Sequence, residues 1–529
     1  MSLLRSTLLA TALVLPLTAP AVWAETPDGI LVVAQNIDDI VAIDPAQAYE
    51  FTSGELVTNI YDRLVQYDAE DPTVMAAGLA TEWAIDADAK TITFTLRDGV
   101  SFHSGNPVTT ADVVGSLARV IKLNLTPAFI LTQLGWTPEN VEQMVTADDT
   151  TVTIKYDGEF SPAFVMNVLA SRPASIVDMK TVMENEVDGD MGNAWLNENS
   201  AGTGPFSLQS YRPAELVRLN ANPDYFKGAP KVKSVIVQHV AEAATQQLLL
   251  ESGDVDMAKN LTPDQIAGMS GDALKVETFP QAAVHFLSFN QKTESLTPPA
   301  IWEASRYLVD YEGMTSTIIA GQMEVHQAFW PKGFPGSYDE TPFSYDPEKA
   351  KAILAEAGIE TPITVTLDVI NAAPFTDMAQ SLQASFADAG INFEILPGTG
   401  AQVITKYRDR THQAMLLYWG PDFMDPHSNA KAFAYNSDNS DGNYAATTTW
   451  RNAWAVPDEL NELTKSALTE ADPEKRLAMY QDLQQKVQET SPIIIMFQAS
   501  YQVAMDSGVT GYVNGATSDF VFYRLVEKN

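Results

Sequence analysis

Hydrophobic positions along this chain follow two different periods. Ile30-Leu31-Val32-Val33-Ala34 is a continuous apolar run, as in a strand covered on both faces, whereas Thr91-Ile92-Thr93-Phe94-Thr95-Leu96-Arg97 alternates with period two, as in a strand covered on one. Asp98-Gly99 predicts the turn that follows. Thr109 or Thr110 then stands where a helix is capped, with Val113, Val114, Leu117 and Val120 on its apolar face. Between the first strand and a helix predicted over 58–65, Tyr49-Glu50-Phe51-Thr52-Ser53-Gly54 reads as a polar and aromatic loop at a strand's C-terminal end, where open α/β sheets place ligands. Further strands are predicted at 151–156, 233–240, 255–258 and 286–290, and a helix over 241–252 ended by Gly253. Beyond 290 the pattern becomes helix 347–358, strand 363–369, helix 375–389, strand 393–396, a second α/β unit, before a buried strand at 493–497.

The N-terminus changes the setting of this fold. Arg5, the apolar stretch from Leu8 to Leu17 and Val22-Trp23-Ala24 before Glu25 read as an export signal over 1–24, with a mature chain from Glu25 expected. That apolar stretch is well short of the roughly 20 residues a membrane-spanning helix needs. Cysteine is absent, which excludes disulfides, thiolate metal sites, cysteine nucleophiles and anchoring through a lipidated cysteine. A free periplasmic protein, not lipid-anchored, is expected. The formal charge of −36 repels polyanions, so no nucleic-acid partner is expected. The excess is spread without long runs, as on a solvated acidic surface, which is the simpler reading; a cation-attracting cleft and tuning for a salty habitat stay open, since composition does not separate them. At 529 residues, two or three lobes are expected.

Several chemistries find no support. The six histidines never fall at the i, i+4 spacing of a helical zinc site, so no metal and no cofactor is expected. Residues 436–442 resemble a calcium loop, yet Thr448 stands where a bidentate glutamate belongs, and a surface turn is the simpler reading. No G-x-S-x-G elbow or phosphate-binding P-loop is present. In a secreted hydrolase, acidic pairs such as Asp422 and Asp425 would be general acid and base, but they are three residues apart and nothing identifies a second catalytic partner.

Four segments carry a family pattern. They are Ala201-Gly202-Thr203-Gly204-Pro205-Phe206 with Asn222-Pro223-Asp224-Tyr225-Phe226-Lys227-Gly228; the stretch from Ala80 to Arg119 with Trp83, Phe94-Thr95-Leu96-Arg97-Asp98-Gly99-Val100 and Phe102-His103-Ser104-Gly105; Tyr345-Asp346-Pro347-Glu348-Lys349-Ala350-Lys351; and Trp419-Gly420-Pro421-Asp422-Phe423-Met424-Asp425-Pro426. In order and spacing they resemble the family 5 solute-binding proteins, receptors of bacterial ABC importers that include dipeptide, oligopeptide and nickel-chelate binders. The resemblance implies an α/β fold, a periplasmic-binding-protein type II-like two-lobed clamp with an extra domain inserted in the first lobe. Lobe I would be assembled from 25–68, 200–289 and 498–529, the insert from 69–199 and lobe II from 290–497, with hinge strands near 286–290 and 493–497. It also implies a monomer without catalysis, whose partners are a small peptide or peptide-like solute and the membrane subunits of an ABC permease.

The same resemblance nominates ligand-binding residues. Asp422 matches the aspartate that pairs with a peptide's α-ammonium, although an aspartate there also stabilises a turn. Trp419 would line the pocket or the core, Glu50, Phe51 and Thr52 would form the ligand-facing loop, and His285 would face the ligand or pack beneath it. Arg408 and Arg410 would supply a fork for a ligand carboxylate, or a solvated helix face. Two departures weaken the case for a free α-carboxylate: Trp302 where the family commonly has arginine, and Met415-Leu416-Leu417-Tyr418 without the arginine some members carry. Non-peptide solutes such as an opine, an amino-sugar conjugate or a metal chelate therefore stay open. Gly202, Gly204 and Pro205 are expected to permit a tight turn and to touch no ligand.

Overall fold

The computed structural model describes residues 26–529 other than 70, 72–73, 270–271, 444–446, 516 and 518–519; the expected export signal lies outside the described residues. The apolar run at the start becomes strand Ile30–Gln35, parallel to Ser234–His239 on one side and Met257–Ala258 on the other, and the burial of every residue from Leu31 to Gln35 shows that both its faces are covered. The alternating segment becomes Thr91–Leu96, with Ile92 and Phe94 fully buried while Thr93 meets Thr153 across the strands at 3.0 Å. Helix Thr110–Leu123 opens on a reciprocal capping box between Thr109 and Asp112. Gly253 ends helix Ala243–Ser252 at φ +76°.

One sheet links the molecule. Its strand order is Ile391–Gly398, Ile363–Ile370, Ala414–Trp419, Leu274–Phe289, Ile493–Asp506, Met257–Ala258, Ile30–Gln35, Ser234–His239, Leu216–Ala221 and Phe206–Arg212, with Met323–Val325 added to Ile493–Asp506. Leu274–Phe289 and Ile493–Asp506 pair antiparallel along nearly their whole length, with a break in register between Pro280 and Val284. Packing divides at that break. Phe279 and Tyr501 join the core beneath Leu31, Val33 and Val237, whereas Ala282, Val284, Phe286, Ile493 and Ile495 belong to cores built from residues beyond 290. Residues of the 286–290 and 493–497 segments thus pack with residues beyond 290, and the change from one core to the other along the two strands falls at 280–284 and 498–500.

A third core carries the antiparallel sheet Ala80–Asp86, Thr91–Leu96, Thr151–Lys155, Val145–Ala147 and its helices, from Leu64 to Ile176. Val177, Val182 and Leu196 pack instead on the first lobe. One expected element is overturned: helix Phe51–Ile60 replaces both the loop at 49–54 and the helix at 58–65. Every residue from Thr52 to Ile60 is buried, so no polar face was present to reveal a helical period.

The glycines at 202 and 204 serve close approach rather than a left-handed turn. A Cβ on Gly202 would lie 2.0 Å from the carbonyl oxygen of Ile60, and one on Gly204 2.5 Å from its carbonyl carbon. Gly204 N–H donates to that oxygen at 2.9 Å, seating the returning chain on the helix end. Gly204→Ala is expected to cost at least about 2 kcal/mol, read as a lowered midpoint in thermal unfolding, because rigid backbone must shift.

Candidate functional site

A cleft of about 530 Å³ runs between the lobes, lined by the start of helix Phe51–Ile60, by the turn at Ser171-Arg172-Pro173, by Tyr418 and the 420–424 loop, and by Thr517 and Phe520. Strand Ala414–Trp419 delivers that loop and helix Pro426–Ala434, capped by Asp425, takes it up again. Asp422 projects from it, half-buried, its N–H donating to Ser428 Oγ at 3.0 Å. The Tyr49 hydroxyl donates across the cleft to Asp422 Oδ1 at 3.0 Å. Burial holds the Asp422 carboxyl above the usual carboxylate range, against the Tyr49 hydrogen bond and the more distant charges of Lys431, Arg172 and Arg451. Burial and the facing Asp422 push the Tyr49 phenol up in turn. Among the described residues no lysine, arginine or histidine nitrogen lies within 4.0 Å of Asp422, so cationic side chains act on it only from a distance.

The other nominated residues fall in different places. Glu50 stands at the N-cap of the helix and Phe51, 49% exposed, opens its first turn; both line the cleft. Thr52 is buried, donates its N–H to Asp39 at 3.0 Å and lines an adjoining polar pocket of about 280 Å³ with Gln35, Asn36 and Glu55. Trp419 is not among the cleft-lining residues: its ring packs edge-on against Phe433 at 6.0 Å in the second-lobe core. His285 is buried one layer down, its ring 5.8 Å from that of Tyr418 and 5.6 Å from Phe375, and burial pulls its pKa down to about 4. It is therefore a neutral floor under Tyr418. Arg408 is exposed at the end of helix Gly400–Arg408, whose Ile404 reaches the cleft. Arg410 is committed elsewhere, bonded to Asn439 and Asp441 and stacked on Trp450 at 4.4 Å.

Tyr49, within the stretch at 49–54 that the sequence singled out, also lines the cleft, as do Arg172, Tyr418, Thr517 and Phe520, for which no motif gave a signal. Arg172 comes from the inserted body and Phe520 from the C-terminal segment, so only the folded chain brings them to Asp422. The inserted body also touches the second lobe directly. Ser161 N–H donates to the Leu468 carbonyl at 2.9 Å, Asn167 Nδ2 to Asp425 at 3.1 Å, and Phe164 packs edge-on against Phe423 at 5.4 Å. With Tyr49 bridging to Asp422, the cleft is in a closed arrangement.

Comparison with known proteins agrees with this architecture. Residues 75–441 match the family described as bacterial extracellular solute-binding proteins, family 5. The chain belongs to this family. A probable D,D-dipeptide-binding periplasmic protein of Escherichia coli strain K12, DdpA, is 29% identical over 98% of this chain and 97% of its own length. A dipeptide-binding protein of Pseudomonas aeruginosa is 27% identical, with 92% of each chain covered. Among solved structures, HbpA2 from Haemophilus parasuis superposes with a TM-score of 0.79 at 22% identity, covering 94% of this chain and 100% of its own. DppA from Helicobacter pylori in complex with the peptide STSA gives 0.75 at 23%, covering 94% and 98%.

The family 5 fold is a two-lobed α/β receptor, and this member is a binding protein, not an enzyme. The site agrees with that. Asp425, the carboxylate three residues from Asp422, is fully buried and held by Arg476 at 2.7 and 2.9 Å. Burial raises its pKa, but the charge and hydrogen bonds of Arg476 outweigh that and hold it below the usual range, so it neither gives nor takes a proton near neutrality. Among the described residues no group of three or more His, Cys, Asp or Glu side chains is placed to hold a metal ion, and no helix is long and apolar enough to cross a membrane.

Proposed function

We propose that this protein is the periplasmic receptor of an ABC importer, capturing a small peptide or related amine-bearing solute between its lobes and presenting it to the permease. The observation that carries the reading is Asp422: a carboxylate with no ion pair within 4.0 Å among the described residues, desolvated in a closed cleft and satisfied by a neutral tyrosine where an ammonium would bond more strongly. The family membership and the dipeptide-binding names of its relatives support the same class of solute. Closing needs no new chemistry. A ligand bridging Asp422 and the first lobe binds the closed arrangement better than the open one and so shifts the balance between them. Bending at 280–284 and 498–500, where the two linking strands lose register, would let the lobes separate.

The electrostatics set a sign for the pH response. The Asp422 pKa is raised in the ligand-free cleft, and an ammonium beside it lowers it again. Binding is therefore expected to release protons at pH values between the two, and affinity to fall as pH drops through the raised value. Calorimetric titrations in buffers of different ionisation heat read the proton count directly. Mass spectrometry of solute that co-purifies with the native protein, followed by thermal-shift titration, tests the assignment itself. A co-purified solute with no amine, or none of the amines tested raising the unfolding temperature, would remove it.

A further inference from the structure

The polar pocket of about 280 Å³ beside the cleft lies at the carboxyl ends of strands Ile30–Gln35 and Met257–Ala258, where open α/β sheets place ligands. Asp39 and Phe51 line both spaces, so the pocket opens off the cleft rather than standing apart from it. Gln35, at the strand end, is 7% exposed; its Nε2 donates to Thr52 Oγ1 and Glu55 Oε2, both at 3.3 Å, while its Oε1 is buried and accepts no hydrogen bond. A buried acceptor left unused is costly until a donor reaches it. The unneutralised charge of the pocket belongs to Asp39. Glu55 is already matched by Lys259 at 2.5 Å and by the Tyr523 hydroxyl, all three buried. Asp39 accepts the Thr52 N–H at 3.0 Å, and among the described residues no lysine, arginine or histidine nitrogen lies within 4.0 Å of it. Phe51, 49% exposed, and Tyr501 add aromatic walls, whose faces attract a cation. Lys259 lies 5.9 Å from the centre of the Tyr501 ring, but its charge is spent on Glu55.

We propose that this pocket is a second binding pole of the cleft, in which Asp39 and the Gln35 Oε1 take the ammonium or guanidinium at the end of a solute side chain. This deepens the reading above and rests on it only for the amine held at Asp422. The solute class narrows to a short peptide or related amine with two positive groups, such as one carrying lysine, ornithine or arginine. An apolar side chain of the same length is disfavoured there, because it desolvates Asp39 and leaves Gln35 without a donor. A dication also suits the formal charge of −36, whose field raises the concentration of cations at the surface.

The test uses protein freed of solute by dialysis in urea and refolding, titrated with L-alanyl-L-lysine and L-lysyl-L-alanine and with the same two dipeptides carrying norleucine in place of lysine. The expected result is that the preferred lysine dipeptide binds at least about tenfold tighter than its norleucine counterpart. Asp39→Asn should abolish that difference without weakening the norleucine peptide, since the amide oxygen still accepts from Thr52. Gln35→Met should reduce the ratio at least about threefold. Equal binding of the lysine and norleucine peptides to the wild type, or an unchanged ratio in either variant, overturns the proposal. If none of the four dipeptides binds, the amine-peptide reading at Asp422 fails for these probes and n-butylammonium chloride decides the pole by itself. At matched ionic strength against sodium chloride, a larger butylammonium-induced rise in unfolding temperature in Asp422→Asn than in the Asp422→Asn, Asp39→Asn double variant sustains it, and equal shifts overturn it.

Discussion

Replacing Asp425 by alanine is expected to destabilise the protein by about 3–5 kcal/mol, the cost of leaving a buried arginine without its partner. Asp425 is fully buried; besides the two Arg476 bonds it accepts from the His427 N–H at 2.9 Å and from Asn167 at 3.1 Å. The carboxylate therefore organises the start of helix Pro426–Ala434, ties it to helix Pro473–Thr490 and receives a contact from the inserted body. Its removal should lower the thermal midpoint and loosen the insert against the second lobe. By contrast, Glu462→Ala, which breaks the exposed pair with Lys465 at 2.9 Å, should leave the thermal midpoint nearly unchanged. The pH dependence follows from the sign of the shift. A carboxyl held low in the folded state contributes stability above its unfolded pKa and loses it as pH falls through the folded one. The Asp425→Ala variant should thus show a shallower loss of stability on acidification than the wild type.

Asp422→Asn is expected to weaken binding of an ammonium-bearing solute by about 1.5–3 kcal/mol, roughly 10- to 150-fold, since it exchanges a charge-assisted hydrogen bond for a neutral one. Its effect on the empty protein should have the opposite sign. The Asp422 pKa is raised on folding, so its ionisation at neutral pH opposes the folded state, and a neutral amide of the same shape removes that cost. A variant that melts at the same or a higher temperature when empty, yet binds more weakly, separates a ligand anchor from a residue that merely stabilises its loop. Loss of both stability and affinity would assign Asp422 to the turn.

The scaffold was legible where one face of an element meets solvent. Thr91–Leu96 and Thr110–Leu123 announced themselves because Ile92, Phe94, Val113 and Leu117 are buried while their neighbours are not. Helix Phe51–Ile60 stayed hidden because every residue from Thr52 to Ile60 is buried. The long strand Leu274–Phe289 was visible only at its apolar end, since its first half carries Lys275, Glu277 and Pro280. Within the site, Asp422 was readable from its motif, whereas Trp419 in the same motif turns to the core. Arg172 sits in a three-residue turn of the inserted body with no periodic or motif signal, and only folding sets it beside Phe520 of the C-terminal segment on the cleft wall. Arg410 illustrates the converse: a guanidinium that sequence made available is consumed by Asn439, Asp441 and Trp450.

The central claim is that an amine of the solute is held at Asp422 inside the closed cleft. It is tested most directly by calorimetric titration of wild type and Asp422→Asn with the solute recovered from the native protein and with the same solute N-acetylated. The account predicts that acetylation costs the wild type at least tenfold in affinity and costs Asp422→Asn far less, because the interaction it removes is already gone. Equal losses in both proteins, or no loss in the wild type, would contradict it.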